Sequence, residues 1–151
     1  MTLPAIASII ILLFAGQYVP VTKFDPSRNG EKDIAAAVAE AQRTGRNVLL
    51  EVGGEWCSWC HILDKYFVDN PKLTELRDRN YVTVKINFSQ ENLNEALLSK
   101  YPTISGYPHL LVLDSSGKLL KSQETSALEE GKSYNLGRFT DFLNKWAPTR
   151  K

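Results

Sequence analysis

The chain has 151 residues, a length typical of one domain, and its 43% hydrophobic and 23% charged content is that of a globular protein with a core. Its formal net charge of +1 provides neither the electrostatic drive to bind nucleic acid nor a basic surface for acidic membranes. The two cysteines exclude a disulfide-dense scaffold and any cluster that needs four thiolates, and a domain of this size needs no disulfide for stability. We therefore predict that the two thiols take part in a reaction rather than stabilise the fold.

The first 22 residues carry no charged side chain, and residues 5–15 (AIASIIILLFA) form an apolar run broken only by Ser8. As a helix, this run spans roughly 16 Å, too short for the roughly 30 Å hydrocarbon core of a bilayer. The length fits the hydrophobic region of a secretory signal, with small residues near 15–17 where cleavage could occur. We predict that residues 1–22 are an export signal, cleaved or retained, before a domain over 23–151. A buried N-terminal strand or helix is the alternative.

The rest of the chain alternates between helical and strand patterns after a turn-rich stretch at 24–30. The predicted helices cover 33–44, a stretch from the cysteines to the residue before Pro71, 73–79, 91–101 and 135–146. The predicted strands cover 47–52, 81–88, 109–113 and 118–123, and a DSSG turn joins the last two into a hairpin. This order predicts an α/β layered domain with a mixed sheet.

Cys57 and Cys60 stand three residues apart where a predicted helix follows a predicted strand. Across the first turn of a helix, this spacing brings the two sulfurs within bonding reach. It also places the first sulfur near unpaired backbone N–H groups and the positive end of the helix dipole. Such surroundings lower a cysteine pKa from about 8.5 into a range of about 3.5–7.5. We predict that Cys57 attacks as the thiolate and that the more buried Cys60 resolves the mixed disulfide. An inert disulfide or a pair of buried thiols is the alternative.

The stretch NVLLEVGGEWCSWC, followed by a helix, resembles the active-site region of the thioredoxin superfamily, and ISGYPHLLVLDSSGKLL resembles its cis-proline loop. The resemblance covers roughly residues 33–146. It implies a thioredoxin-like fold, with a central mixed sheet and helices on both faces, and thiol–disulfide exchange without a further cofactor. It places the cis proline at Pro108 rather than at Pro102. Ser58 and Trp59 stand where thioredoxin has Gly-Pro, and His109 stands where thioredoxin has threonine.

The resemblance also assigns roles to residues near the cysteines. Glu51 lies six positions before the first cysteine, where the family has a buried carboxylate. With a raised pKa this carboxylate could take the proton from Cys60, and a purely structural carboxylate is the alternative. The cis peptide would leave the backbone of residue 107 free to pair with a substrate strand. The expected substrate-binding residues are Trp56, Ser58, Trp59 and Tyr107, with the two tryptophans as walls of the groove.

Two other kinds of site use the same residues. Cys57, Cys60 and His61 match the C-x-x-C-H pattern of covalent haem attachment. The only methionine is Met1, so a second axial ligand would have to be His109, which lies in a predicted hairpin. With His109 opposite the cysteines, these four side chains could instead hold copper or zinc in a binding or chaperone role. We expect neither a metal nor a haem.

We expect a monomeric protein thiol–disulfide oxidoreductase in the periplasm or another extracytoplasmic space, because GGEWCSWCH resembles exported thioredoxin-like proteins more than the cytosolic reductant. Its expected partners are protein thiols or disulfides and a redox partner protein. We expect no nucleic acid, and membrane contact only through an uncleaved N-terminal segment. Whether it reduces, oxidises or isomerises disulfides depends on its reduction potential. For this two-electron couple, a difference in potential of roughly 30 mV corresponds to about 1.4 kcal/mol.

Overall fold

The computed structural model of the chain describes residues 16–149, with a four-stranded sheet in the order β2-β1-β3-β4 at the centre. The strands of this sheet are β1 (Asn47–Gly53), β2 (Tyr81–Asn87), β3 (His109–Leu113) and β4 (Leu119–Glu124). The helices are α1 (Gly30–Thr44), α2 (Ser58–Asp69), α3 (Pro71–Asn80), α4 (Glu95–Leu98) and α5 (Leu136–Lys145). A short 3₁₀ turn (Thr125–Leu128) leads into a small hairpin of β5 (Glu129–Glu130) and β6 (Ser133–Tyr134).

The sheet is mixed, as predicted. Strand β1 runs parallel to β2 and antiparallel to β3, and β4 is antiparallel to β3. Because successive strand residues point to opposite faces, β1 sends Val48, Leu50 and Val52 to one side of the sheet and Leu49 to the other. Helices α1 and α4 pack on the first side, and α2, α3 and α5 pack on the second. The predicted thioredoxin-like architecture with helices on both faces is confirmed.

Helix α1 begins earlier than the sequence pattern predicts. The side chain of Asn29 accepts a hydrogen bond from the backbone N–H of Lys32, so Asn29 caps a helix that begins at Gly30, three residues before the predicted start. At the other end, Gly45 adopts a left-handed conformation with φ of 67°, and its N–H bonds to the carbonyl of Ala41. The predicted end of this helix is confirmed.

The predicted helix over 91–101 is wrong, because only the four residues of α4 are helical. The preceding loop satisfies its own polar groups: Ser89 and Asn92 exchange backbone hydrogen bonds, and the Asn92 side chain accepts from the N–H of Asn94. Asn94 itself has a positive φ of 48°. Short amide side chains of this kind compete with helical hydrogen bonding, which delays the helix to Glu95. The small β5–β6 hairpin was also not predicted.

The segment before α1 adds to the edge of the sheet. Val21 is buried and pairs in parallel with Val84, and its carbonyl accepts a hydrogen bond from the N–H of Lys85 at 3.1 Å. Within residues 16–149, no helix is both long and apolar enough to cross a bilayer. The apolar run at 5–15 lies outside the described residues.

Candidate active site

The cysteine pair lies at the start of α2, where the two sulfurs are joined in a disulfide. Cys57 is the N-cap residue, and its sulfur accepts a hydrogen bond from the backbone N–H of Cys60 at 3.2 Å. The same N–H also donates to the carbonyl of Cys57 at 3.1 Å, and in the reduced state its contact with the sulfur would favour a thiolate at Cys57. Both cysteines are buried, with Cys60 at 0% exposure and Cys57 at 4%.

The strand that precedes the motif makes room for the second sulfur. Gly53 ends β1, and the space that a side chain would occupy there is taken by the sulfur of Cys60. The ring of Phe24, from the turn before α1, closes the same space, with its Cζ 3.1 Å from the place of a Cβ on Gly53. Phe24, Cys57 and Cys60 form a small buried cluster of their own, separate from the two main cores.

The loop before β3 faces this cluster. The Tyr107–Pro108 peptide bond is cis, as the resemblance implies, and the ring of Tyr107 packs against the cysteine cluster. Tyr107 is also stacked on Phe88 at 4.6 Å between ring centroids, and Trp56 meets it edge-on at 5.7 Å. The indole N–H of Trp56 donates to the carbonyl of Phe88 at 2.6 Å. Within residues 16–149, no backbone hydrogen bond uses Tyr107, so its N–H and carbonyl have no backbone partner.

The other predicted groove residues differ in their surroundings. Trp56 is 58% exposed and lines a groove of about 450 Å³ with Phe88 and Leu93. Ser58 is exposed at the first turn of α2, beside the cysteines. Trp59 is half-buried and packs edge-on against Tyr134 at 5.6 Å, on the side of the sheet that α5 covers. The structure therefore places Trp56 at the open groove and Trp59 at the boundary with the core.

Glu51 is buried on the face of the sheet that α2 covers, two residues before Gly53 along β1. Lys85 lies opposite it in the parallel register, and the Lys85 Nζ donates to Glu51 Oε1 at 3.2 Å. The same ammonium donates to Asp64 Oδ1 of α2 at 2.6 Å. Burial raises the pKa of Glu51, the Lys85 charge opposes this, and the Asp64 charge adds to it. The result is a buried carboxylate, connected through one ammonium to a carboxylate at the surface.

The histidines of the alternative metal and haem sites point to other partners. His61 is exposed, and its Nε2 lies 2.7 Å from the carbonyl oxygen of Glu55. His109 is buried, and its Nε2 lies 2.7 Å from the hydroxyl of Ser122 in β4. Burial lowers the pKa of His109, although the nearby Glu124 charge opposes this. Across residues 16–149, no three His, Cys, Asp or Glu side chains are grouped as a metal would require.

Sequence reasoning missed Lys85, Asp64 and Phe24. Lys85 interrupts the strand pattern YVTVKINF, but its contact with Glu51 depends on the parallel register between β1 and β2. Asp64 lies one helical turn after Cys60, which is a signal that helical spacing could have supplied. Phe24 gave no signal, because it lies in a turn segment with no periodic pattern.

Comparisons with known proteins agree with this geometry. A family model described as thioredoxin-like matches residues 29–115. Among curated proteins, the chain is 28% identical over 80 residues to thiol:disulfide interchange protein DsbD of Salmonella typhi, and 26% identical over 120 residues to that of Pseudomonas fluorescens. These alignments cover 53% and 79% of this chain but only 14% and 19% of those proteins.

Two solved structures extend the comparison. The disulphide isomerase from Xylella fastidiosa Temecula1 matches with a TM-score of 0.69 and 28% identity, over 81% of this chain and 94% of that one. The oxidised C-terminal domain of DsbD from Neisseria meningitidis matches with a TM-score of 0.59 and 19% identity, over 78% and 96%, and shows the shared fold. Since the family model spans more than half of the chain, and the sheet, cysteine pair and cis proline lie as that family requires, the chain belongs to the thioredoxin-like family.

Proposed function

We propose that this chain is a thiol–disulfide oxidoreductase that exchanges its Cys57–Cys60 disulfide with the thiols and disulfides of other proteins. The observation that carries the proposal is the cysteine pair at the N-terminus of α2, facing the Tyr107 loop and lying on the same side of the sheet as buried Glu51. The relatives named for thiol:disulfide interchange and disulphide isomerisation support the same chemistry.

In the reducing direction, the Cys57 thiolate attacks one sulfur of a partner disulfide. A bond forms between Cys57 Sγ and that sulfur, the partner's S–S bond breaks, and its other sulfur leaves as a thiolate. Cys60 then gives its proton to Glu51 and attacks Cys57 Sγ, which forms the Cys57–Cys60 disulfide and releases the second partner thiolate. Two electrons pass from the cysteine pair to the partner, and the opposite direction reverses each step.

The Lys85 bridge supports Glu51 as the proton acceptor. A buried carboxylate with a raised pKa can accept a proton near neutral pH and release it afterwards. The exit for that proton is Asp64, whose side chain is 47% exposed and shares the Lys85 ammonium with Glu51. Glu51, Asp64, Thr83 and Lys85 line the same cavity, of about 310 Å³, on this side of the sheet.

The partner segment is proposed to lie across the disulfide in an extended conformation. The unpaired backbone of Tyr107 offers it one N–H and one carbonyl, which is how a bound strand pairs with a sheet edge. The exposed indole of Trp56 and the adjoining Ser58 and Trp59 would form the walls beside it. The groove lined by Trp56 and Leu93 accepts an apolar side chain near the reacting cysteine.

We also propose that the protein is exported, acts as a monomer and needs no cofactor beyond its cysteine pair. The apolar run at 5–15 supports export, with the export signal inside residues 1–22 and the catalytic domain over 23–151, to which Val21 adds at the sheet edge. Cleavage near residues 15–17 would leave Val21 in place on the sheet edge, where it bonds to Lys85.

Trapping tests the roles of the two cysteines. Cys60→Ser removes the resolving thiol, so the Cys57 mixed disulfide with a partner should accumulate as a covalent adduct on a non-reducing gel. Cys57→Ser removes the attacking thiol and should trap no adduct. Equal trapping by both variants would show that the roles are assigned wrongly, and absence of adducts from both would overturn the proposed function.

A further inference from the structure

Phe24 contacts both the cysteine pair and Lys85, the partner of the proposed proton acceptor Glu51. Its ring is buried at 4% exposure, and the cluster it forms with the two cysteines is separate from both main cores. The ring edge lies against Gly53, in the space that Cys60 Sγ also fills. The ring face lies under Lys85, whose Nζ is 4.3 Å from the ring centroid.

The Lys85 ammonium therefore has three attractive neighbours. Two are carboxylates, Glu51 at 3.2 Å and Asp64 at 2.6 Å, and the third is the face of the Phe24 ring. The closer carboxylate is the exposed one, so the two ion pairs alone would draw the ammonium outward, towards Asp64. An aromatic face attracts a cation more strongly where water is excluded, and the Lys85 side chain is only 9% exposed.

We infer that Phe24 is a positioning residue: its ring holds the Lys85 ammonium beside Glu51 and so sets the pH range in which Cys60 loses its proton. This inference rests on the proposed function, and in particular on Glu51 as the proton acceptor. Without the ring, the ammonium moves towards Asp64, and the buried carboxylate loses part of its compensating charge. The Arg77 charge of α3 still acts on Glu51, but a carboxylate with less compensating charge ionises at higher pH, so deprotonation of Cys60 shifts to higher pH with it.

The experiment measures the resolving step on its own. Reduced full-length protein is mixed in a stopped-flow instrument with 5,5′-dithiobis(2-nitrobenzoate), which releases one coloured thiolate when Cys57 attacks and a second when Cys60 resolves. The rate of the second phase is recorded against pH for the unchanged protein and for Phe24→Leu, which keeps an apolar side chain without the aromatic face. We expect Phe24→Leu to move the midpoint upward by about half a pH unit.

Two comparisons separate positioning from packing. Replacing Phe24 with pentafluorophenylalanine keeps the ring shape and reverses its charge distribution, so it should shift the midpoint in the same direction as Phe24→Leu. In a Lys85→Met background, Phe24→Leu should cause no further shift, since the ring acts through the ammonium.

A fluorinated ring that behaves like the natural one, or an equal shift with and without Lys85, would overturn the inference while leaving the proposed function intact. Absence of a second phase in the unchanged protein would instead overturn the roles given to the two cysteines, and the inference with them.

Discussion

A methyl group at Gly53 is expected to destabilise the protein because it would overlap with the sulfur of Cys60. The Cβ of Gly53→Ala would occupy the space of Cys60 Sγ and lie 3.1 Å from Phe24 Cζ, and both neighbours are buried. Neither can move into solvent without exposing apolar surface. Overpacking of this kind costs about 1–3 kcal/mol, which for a domain of this size lowers the melting temperature by about 3–12 °C.

Measuring Gly53→Ala in a chain without the Cys60 sulfur tests whether the loss of stability comes from that atom. Thermal unfolding followed by circular dichroism compares Gly53→Ala in the natural oxidised chain with the same change in a Cys57→Ser/Cys60→Ala chain, where position 60 has no sulfur. Most of the loss of stability should disappear there, so the effects of Gly53→Ala in the two chains should differ by about 1 kcal/mol or more. Gly106→Ala is the control, because a Cβ at that position has no neighbour within 4 Å and should change stability by less than about 0.5 kcal/mol. An equal cost in both backgrounds would refute the reasoning.

Two further predictions concern the pH dependence of stability, measured by urea unfolding of the oxidised chain. Burial raises the pKa of Glu51 above 4.5, so the stability it contributes is complete below that value and is lost as pH rises through the raised pKa. Glu51→Gln should therefore gain stability relative to the natural chain as pH rises above 4.5, and a constant difference would contradict the shift. Burial lowers the pKa of His109 below 6.5, so the unfolded chain takes up this proton first as pH falls. The natural chain should lose stability relative to His109→Gln below about pH 6.5, and parallel pH profiles would count against it.

Several elements follow from local pattern alone. Strand β3 has the predicted bounds, since five consecutive apolar or buried residues end at a turn in which Asp114 accepts from the N–H groups of Ser116 and Lys118. Helix α5 follows the amphipathic stripe, and Asn135 caps it by accepting from the N–H of Arg138. In each case the determining contacts lie within a few residues along the chain, so the sequence pattern contains them.

The loop at 89–94 shows where that reasoning fails. Its residues are compatible with a helix by composition. However, the Asn92 side chain accepts from the N–H of Asn94, and the Asn94 side chain donates to the carbonyl of Asn87, which keeps the chain out of helical geometry. The spacing of apolar residues does not reveal this competition between side-chain and helical hydrogen bonds.

By itself, the sequence determined the cysteine pair at a helix start, the proline loop and the alternation of strands and helices, because each depends on neighbours in the chain or on a motif that can be matched as a string. The tertiary structure alone decided which charge Glu51 meets, which ring closes over Cys60, and that His61 and His109 bond away from the sulfurs. Those outcomes depend on the register of β1 against β2 and on a turn segment 33 residues before Cys57 packing back onto the sheet. A parallel register joins residues that are distant in sequence, and shifting it by one residue would turn Lys85 to the opposite face.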